Sequence, residues 1–205
     1  MLIVLLFLLF LLFLKYPRSS YTPPEVYKDL ITPQEGEYII KKAQESFISS
    51  ETLAGMDKNI RNSEQSWINK NDPVVKEIYR RLSEQFNFNV ENAESLQVVK
   101  YQPGGFYKPH HDACCDDNEL CDNFKRRSGQ RIMTILIYLN NDFEEGETSF
   151  PNLDLKLKPP TYGGVVFYTL NKDKKCETTA LHSGTPVKSG IKYACNIWVR
   201  EFKFA

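Results

Sequence analysis

The sequence has no excess of charge of either sign and very few histidines. Lys and Arg together number 26, Asp and Glu together also number 26, and there are 3 His residues. Without a basic excess we expect no nucleic-acid partner and no broad attraction to anionic lipid. Internal repeats and Asn-x-Ser/Thr sequons are also absent. A length of 205 residues leaves room for one domain with a proper core, but is too short for two comfortable ones.

One long hydrophobic run opens the chain. Residues 1–14 are uninterrupted apolar sequence, which ends at Lys15. The run is shorter than the ~20 residues of a usual spanning helix and has the length of a signal-peptide core. Because Pro17 and Arg18 lie where a cleavage site needs small residues, we predict an uncleaved signal anchor over residues 1–15, with a cleaved signal and secretion as the alternative. Basic residues after the run favour a cytosolic domain instead of a lumenal one.

A tether and two helices are predicted next. Residues 16–31 contain three prolines among Tyr and Ser, which indicates an extended tether before a domain over residues 32–205. Residues 32–35, Thr-Pro-Gln-Glu, have the pattern of an N-cap and capping box and predict a helix start. A second start at Asp72 and Pro73 is followed by apolar residues at spacings of three and four. Both helices are expected to buttress a sheet.

The second half of the chain is rich in short β-forming runs. We predict strands over residues 96–101, 132–139, 153–157, 165–170 and 192–202. Several strands separated by turn residues favour a sandwich or jelly roll. The predicted fold class is therefore α+β, mainly β.

The segment 101–112 carries the chemistry. In an extended strand, the side chains of His110 and Asp112 leave from one face and that of His111 from the other. His182 is the only other histidine. Two imidazoles and one carboxylate form the facial triad that suits non-heme Fe(II) and leaves coordination positions open.

Four blocks of sequence together resemble a known family. These are Tyr-x-x-Gly-Gly-x-Tyr-x-x-His-x-Asp at 101–112, Glu-Gly-Glu-Thr-Ser-Phe-Pro at 145–151, His182, and Lys192 with Trp198. In this order they are similar to the prolyl 4-hydroxylase branch of the Fe(II)/2-oxoglutarate-dependent dioxygenases, whose fold is a double-stranded β-helix.

A fainter block extends the resemblance upstream. Residues 60–63 with Trp67 resemble the family's Arg-Thr-Ser stretch, with Asn62 in place of Thr. The resemblance therefore covers the chain from about residue 34 to its C-terminus.

The resemblance implies a set of site residues. The implied Fe(II) ligands are His110, Asp112 and His182. The implied contacts to 2-oxoglutarate are Lys192, Tyr101 and Thr148. The implied residues of a peptidyl-proline site are Tyr107, Arg131 and Trp198, whose alternative role is core packing.

The resemblance also implies an activity. The expected reaction is hydroxylation of peptidyl proline at C4, with O2 as cosubstrate, release of succinate and CO2, and L-ascorbate to restore oxidised iron. We predict a proline-containing peptide or protein as partner, and a domain anchored in the endoplasmic reticulum membrane and facing the lumen. Two alternatives stay open: a hydroxylase of another residue or a small molecule, and a catalytically silent β-helix that serves as a binding module.

Cysteines cluster just after the metal motif. Cys114, Cys115 and Cys121 lie on an expected loop over the active-site mouth. In an oxidising lumen, Cys121 would pair with Cys114 or Cys115 and stiffen the loop. A zinc site is the rival, although no Cys-x-x-Cys spacing supports it. Cys195 is predicted to be a buried free thiol.

Overall fold

The computed structural model describes residues 21–204. The predicted signal anchor over residues 1–15 lies outside this range, and within it no helix is long and apolar enough to cross a membrane. Part of the predicted tether, however, belongs to the folded unit. Residues Glu25–Tyr27 form an edge strand, and Leu30 and Ile31 are buried. The domain therefore begins before residue 32.

Three α-helices are present in the described range. They are α1 (Pro33–Ala43), α2 (Pro73–Phe86) and α3 (Glu119–Ser128). The predicted capping box of α1 is confirmed, because Thr32 Oγ1 accepts from Glu35 N at 3.3 Å and Glu35 Oε2 accepts from Thr32 N at 2.8 Å. Asp72 caps α2 as predicted. We expected a loop where α3 lies, since its residues are mostly polar and show little apolar periodicity.

The described residues also form fourteen strands, numbered β1 to β14 in chain order, and three short 3-10 helices. The strands are Glu25–Tyr27, Ile48–Ser49, Arg61–Asn62, Glu64–Ile68, Leu96–Tyr101, Phe106–His110, Arg131–Tyr138, Phe143–Glu145, Thr148–Phe150, Leu155–Leu157, Gly164–Tyr168, His182–Gly184, Val187–Gly190 and Lys192–Arg200. The strand predicted over 153–157 begins later, because Pro151–Leu153 forms a 3-10 turn.

The strands form two facing antiparallel sheets and a small third one. The major sheet has the order β1-β11-β7-β14-β5-β4-β2, the minor sheet the order β10-β9-β12-β6-β3, and β13 pairs with β8. Several paired strands are far apart in sequence, such as β1 with β11 and β14 with β5, as expected when a chain winds through both sheets of a jelly roll. The predicted double-stranded β-helix behind N-terminal helices is confirmed.

The major sheet has one apolar face and one functional face. On its outer face, the helices contribute Ile39, Val75 and Leu82 to the core, where they meet Ile135 and Ile197. Fully burying an aliphatic side chain of this size contributes about 1.5–3 kcal/mol, so the helices hold the sheet firmly. The opposite face looks toward the minor sheet.

Strand β14 shows how the two faces are separated. Cys195, Ile197 and Val199 point into the helix-covered core, whereas Lys192 and Trp198 line cavities on the other side. This is the two-residue alternation of a β-strand. The barrel interior between the sheets therefore receives the polar side chains of the site.

Candidate active site

Three potential metal ligands converge at one end of the barrel. His110 ends β6 and His182 begins β12, and the two residues are paired across these antiparallel strands. One ligand atom from each of His110, Asp112 and His182 lies within 4.8 Å of the others. Asp112 is beyond the last residue of β6, yet it joins His110 as the extended-chain argument predicted. Below, these three residues are called the triad.

Backbone carbonyl groups orient both imidazole rings. The Nδ1 atom of His110 lies 2.8 Å from the Lys108 carbonyl oxygen, and that of His182 lies 3.0 Å from the Ala180 carbonyl oxygen. The Nε2 atoms then face Asp112, at 3.9 Å for His110 and 3.7 Å for His182. Such contacts fix the tautomer and ring orientation of metal-binding histidines.

The electrostatics of the triad suit a divalent cation. Burial lowers the pKa of His110 well below its ordinary value. Burial alone would raise the pKa of Asp112, but the neighbouring His182 and His110, with a Thr134 hydroxyl that donates at 2.6 Å, lower it to about 2. A neutral imidazole and an ionised carboxylate are the forms that bind metal.

The donor set fits Fe(II). Two histidines and one carboxylate on one side of a site leave other coordination positions open, which is the arrangement of non-heme iron oxygenases. His111 is half-buried and faces the larger cavity described below, outside the ligand group.

A buried cation shares a narrow cavity with the triad. Lys192, at the start of β14, is only 4% exposed. Its ammonium donates to the Gly146 carbonyl at 2.7 Å and to the Tyr138 hydroxyl at 3.1 Å, and no carboxylate in residues 21–204 forms an ion pair with it. Burial lowers the pKa of Lys192 to about 8. Burying an ammonium is costly unless an anion accompanies it, so this position fits an anionic ligand.

The structure brings the other two predicted 2-oxoglutarate contacts close to Lys192. Tyr101 lies directly opposite Lys192 in the β5–β14 pairing, with its ring centroid 5.4 Å from the ammonium. Thr148 is linked to Lys192 through Tyr138. The Thr148 and Tyr138 hydroxyl groups lie 2.8 Å apart, and the Tyr138 hydroxyl accepts from the Lys192 ammonium. Tyr138 was not among the predicted residues.

A wide cavity of about 760 Å³ opens from the triad toward solvent. It will be called the wide cavity. The three residues predicted for a substrate site, Tyr107, Arg131 and Trp198, all line it beside His110 and Asp112.

These three side chains are stacked on their neighbours. The Tyr107 ring lies flat on His110 with centroids 3.5 Å apart, and burial raises the pKa of Tyr107 to about 12. The Arg131 guanidinium lies 3.5 Å from the ring centroid of Trp198. Trp198 Nε1 is buried without a hydrogen-bond partner in the described residues.

Glu94 holds Arg131 in this position. Its two carboxylate oxygens accept from Arg131 at 2.7 and 2.9 Å, and one of them also accepts from Arg200 at 2.6 Å. Burial alone would raise the pKa of Glu94, but the two arginines lower it overall. The guanidinium on the cavity wall is therefore fixed by a buried, ionised carboxylate.

Two disulfides reinforce a wall of the wide cavity. Cys114 bonds to Cys121, as one of the two predicted pairings proposed, and Cys115 bonds to Cys176. The zinc alternative was wrong, because these bonds occupy all four thiols. Cys195 is confirmed as a buried free cysteine.

Some site residues escaped prediction for different reasons. Thr134 and Tyr138 lie on the same face of β7 at even spacing, so alternation along this strand carried a usable signal. Glu94 precedes β5 and contacts residues far along the chain, and no local pattern marks it.

Comparisons with known proteins agree with this geometry. Residues 96–200, about half of the chain, match the 2OG-Fe(II) oxygenase superfamily. A candidate prolyl 4-hydroxylase of Acanthamoeba polyphaga mimivirus is 50% identical over 186 residues, which cover 90% of this chain and 77% of that protein. Prolyl 4-hydroxylase 1 of Arabidopsis thaliana is 29% identical over 197 residues, covering 86% of this chain and 68% of that protein.

A solved structure also superposes on nearly the whole chain. The viral collagen prolyl hydroxylase of Paramecium bursaria Chlorella virus-1, determined with 2-oxoglutarate, is 28% identical with a TM-score of 0.71, covering 90% of this chain and 99% of that one. The cofactors are therefore Fe(II) and 2-oxoglutarate. With this triad, this barrel and these relatives, the chain belongs to the prolyl 4-hydroxylase branch of the Fe(II)/2-oxoglutarate-dependent dioxygenases.

Proposed function

We propose that this enzyme hydroxylates proline at C4 within a peptide or protein. The observation that carries the proposal is the wide cavity, which opens directly onto the triad and is lined by Tyr107, Arg131 and Trp198. A cavity of this width admits a polypeptide, and aromatic faces suit an uncharged pyrrolidine ring. The relatives named as prolyl 4-hydroxylases support the same substrate class.

His110, Asp112 and His182 are the proposed iron ligands. When bound, iron with 2-oxoglutarate supplies the oxidative chemistry, in which O2 converts 2-oxoglutarate to succinate and CO2 and one oxygen atom enters a C–H bond. The protein's part is to hold the ligands in one orientation, through the Lys108 and Ala180 carbonyl groups, and to keep Asp112 ionised.

Lys192 is the proposed partner of the distal carboxylate of 2-oxoglutarate. The absence of a carboxylate partner within residues 21–204, together with the narrow cavity shared with the triad, supports this role. Tyr101 and Thr148 are proposed to hydrogen-bond the same cosubstrate, with Tyr138 fixing Thr148 and Lys192 relative to each other. An ammonium beside a carboxylate in a buried site gives a strong, charge-assisted hydrogen bond.

Arg131 and Trp198 are proposed to bind the peptide backbone. Glu94 occupies Nε and Nη2 of Arg131, and no acceptor in the described chain uses Nη1. The indole Nε1 of Trp198 is likewise an unused donor. These two N–H groups can each donate to a carbonyl oxygen of the peptide next to the reacting proline, while Tyr107 contacts the proline ring.

We also propose that residues 1–15 anchor the enzyme in the endoplasmic reticulum membrane, with residues 16–24 as a short tether and the catalytic domain in the lumen. The two disulfides support this location, because such bonds persist in oxidising compartments. Protection of the domain from added protease in sealed microsomes would agree with the proposal, and digestion without detergent would contradict it.

Succinate release tests the proposed reaction. The full chain is incubated with Fe(II), 2-oxoglutarate and ascorbate, with and without proline-rich peptides, and the peptides are analysed by mass spectrometry. We expect peptide-stimulated turnover and one added oxygen on proline. His110→Ala should abolish both, whereas His111→Ala, which removes a histidine outside the triad, should still bind Fe(II) and release succinate. Turnover with oxygen on another residue would replace proline as substrate, and no turnover with iron bound would favour a binding module.

A further inference from the structure

Trp67 is an aromatic side chain that the fold leaves uncovered beside the active site. It lies in β4 opposite Gln97 of β5 and is 43% exposed. Its ring meets that of Trp198 at 5.9 Å between centroids with a tilt of 45°. Because Arg131 covers Trp198 as well, the three side chains form one continuous array whose exposed end is Trp67.

Trp67 also stands between two depressions. It lines the wide cavity on one side and, on the other, a hollow of about 570 Å³. This second depression, here the outer hollow, is formed by residues 42, 45 and 46 at and just after the end of α1 and by residues 68, 69, 71 and 72 at and just after the end of β4. A chain that leaves the wide cavity over Trp67 would therefore enter the outer hollow.

Exposed apolar side chains are concentrated at the wide cavity. Of nine large apolar residues that are exposed within residues 21–204, four line the wide cavity. These four are Leu53, Ile60, Trp67 and Leu120, and of them Trp67 also lines the outer hollow. Exposed apolar side chains around a cavity favour a binding surface there.

We propose that Trp67 is a specificity-determining residue, which receives the substrate segment next to the reacting proline and directs it into the outer hollow. The proposal rests on the proposed prolyl substrate and adds a requirement for peptide length. The occupant is the substrate itself, because the path is continuous with the cavity in which the reacting proline lies.

The chemistry of the path fits a proline-rich segment in the polyproline II conformation. Such a segment has no internal hydrogen bonds and is recognised by aromatic grooves, where ring faces pack on prolines. Its rise is about 3.1 Å per residue, so the 5.9 Å between Trp67 and Trp198 corresponds to about two residues. A segment bound at Trp198 must therefore extend about two residues further to reach Trp67.

The charges of the outer hollow disfavour an acidic occupant. Lys42, Glu45 and Asp72 contribute one positive and two negative side chains, which sum to one net negative charge. Asp72 keeps its charge but is already engaged as an acceptor, because it accepts from the Tyr38 hydroxyl at 2.7 Å and from backbone N–H groups at the start of α2. An uncharged proline-rich segment is compatible with these side chains, whereas a segment with carboxylates of its own would be repelled.

Steady-state kinetics with peptides of two lengths test this role. The short substrate is acetyl-Ala-Pro-Ala-amide, and two long substrates add six proline-rich residues on either its N-terminal or its C-terminal side. For the full-length enzyme, we expect one of the long peptides to have a KM at least about tenfold lower than the short one. Trp67→Ala should remove that advantage by raising the KM of the long peptide about tenfold, with a much smaller change in kcat.

Two further variants separate recognition from general damage. Trp67→Phe keeps an aromatic face and should recover most of the long-peptide advantage. Tyr168→Ala removes an aromatic of similar exposure, 41%, on a strand away from the site, and should change neither peptide's KM. Peptide binding should also alter intrinsic fluorescence, since Trp67 and Trp198 are the only two tryptophans.

Several outcomes would overturn the proposal. An equal rise in KM for short and long peptides in Trp67→Ala would show only a structural contact with Trp198. Equal KM values for short and long peptides in the unaltered enzyme would show that the outer hollow receives no substrate. If the enzyme releases succinate but hydroxylates none of the peptides, the prolyl substrate itself fails, and this inference fails with it.

Discussion

Two buried cations at opposite ends of β14 have opposite surroundings. Arg200 is 2% exposed and is paired inside the protein, with Glu94 at 2.6 Å and the Gly129 carbonyl at 2.9 Å. Lys192 is 4% exposed, and its hydrogen-bond partners are a carbonyl and a hydroxyl group. The same strand thus carries one cation that the fold neutralises and one that it leaves without a counter-charge.

This difference indicates a structural role for Arg200 and a ligand-binding role for Lys192. A buried charge is tolerated when an opposite charge accompanies it, so the Glu94 carboxylate compensates the buried charge of Arg200 within the folded chain. Lys192 lacks such an explanation in the described residues and needs a ligand that brings its own negative charge. Substitutions at the two ends of β14 should therefore differ in their effects on stability and on 2-oxoglutarate binding.

The largest effect is expected from Lys192→Met. Removal of one partner from a buried charge pair costs about 2–5 kcal/mol, so kcat/KM for 2-oxoglutarate should fall at least about 30-fold. Without ligand, the variant should be as stable as the original or more stable, because a desolvated ammonium is lost. Succinate release and thermal melting measure the two effects. A clear drop in melting temperature would show that Lys192 is structural.

A smaller effect, of a different kind, is expected from Glu94→Gln. It leaves Arg131 and Arg200 buried without their carboxylate, which should lower the free energy of unfolding by about 3 kcal/mol in urea denaturation. The KM for 2-oxoglutarate should change less than the KM for peptide, since Arg131 lines the wide cavity. A loss of 2-oxoglutarate affinity without a loss of peptide affinity would contradict the assignment of Arg131 to the peptide site and of Lys192 to the 2-oxoglutarate site.

The pH dependence of 2-oxoglutarate binding should follow Lys192. Its pKa of about 8 lies below the ordinary value, so the ammonium loses its proton as pH rises through 8. Affinity should then fall by up to about tenfold per pH unit, as measured by titration calorimetry. Without ligand the unfolded chain binds more protons between pH 8 and 10, so the contribution of Lys192 to stability becomes less unfavourable over that window. A flat affinity profile from pH 7 to 10 would refute the assignment.

The smallest effect should come from an exposed ion pair. Lys188 on β13 and Glu144 on β8 lie 3.1 Å apart, with side chains 64% and 60% exposed. Exposed pairs are screened by water and salt, so Lys188→Met and Glu144→Gln should each change stability by at most about 0.5 kcal/mol. They are matched controls for Lys192→Met and Glu94→Gln. Large changes in activity in these two variants would show that replacement of a Lys or Glu lowers activity whether or not the side chain is buried.

The sequence predicted local features well and distant contacts poorly. The convergence of His110 and Asp112 follows from period-two alternation, and the positions of His182 and Lys192 follow from the resemblance, because both depend on short stretches. Five strands of the second half were predicted, but the short strands β8, β9, β12 and β13 were not. The pairing of Cys115 with Cys176 spans 61 residues, and no local pattern could select it. Glu94 and α3 were missed for the same reason, since long-range packing decides their roles.

The Cys115–Cys176 bond has a further consequence for iron. It joins the chain three residues after Asp112 to the chain six residues before His182, two proposed iron ligands that are otherwise separated by the whole β7–β11 region. In polymer terms, the bond shortens the loop between them from about 70 residues to about 10. The probability of loop closure scales as loop length to the power of about −3/2. The effective concentration of Asp112 and His182 relative to each other in an unfolded chain therefore rises more than tenfold. Iron should therefore nucleate refolding of the oxidised chain at lower metal concentration than that of the reduced chain.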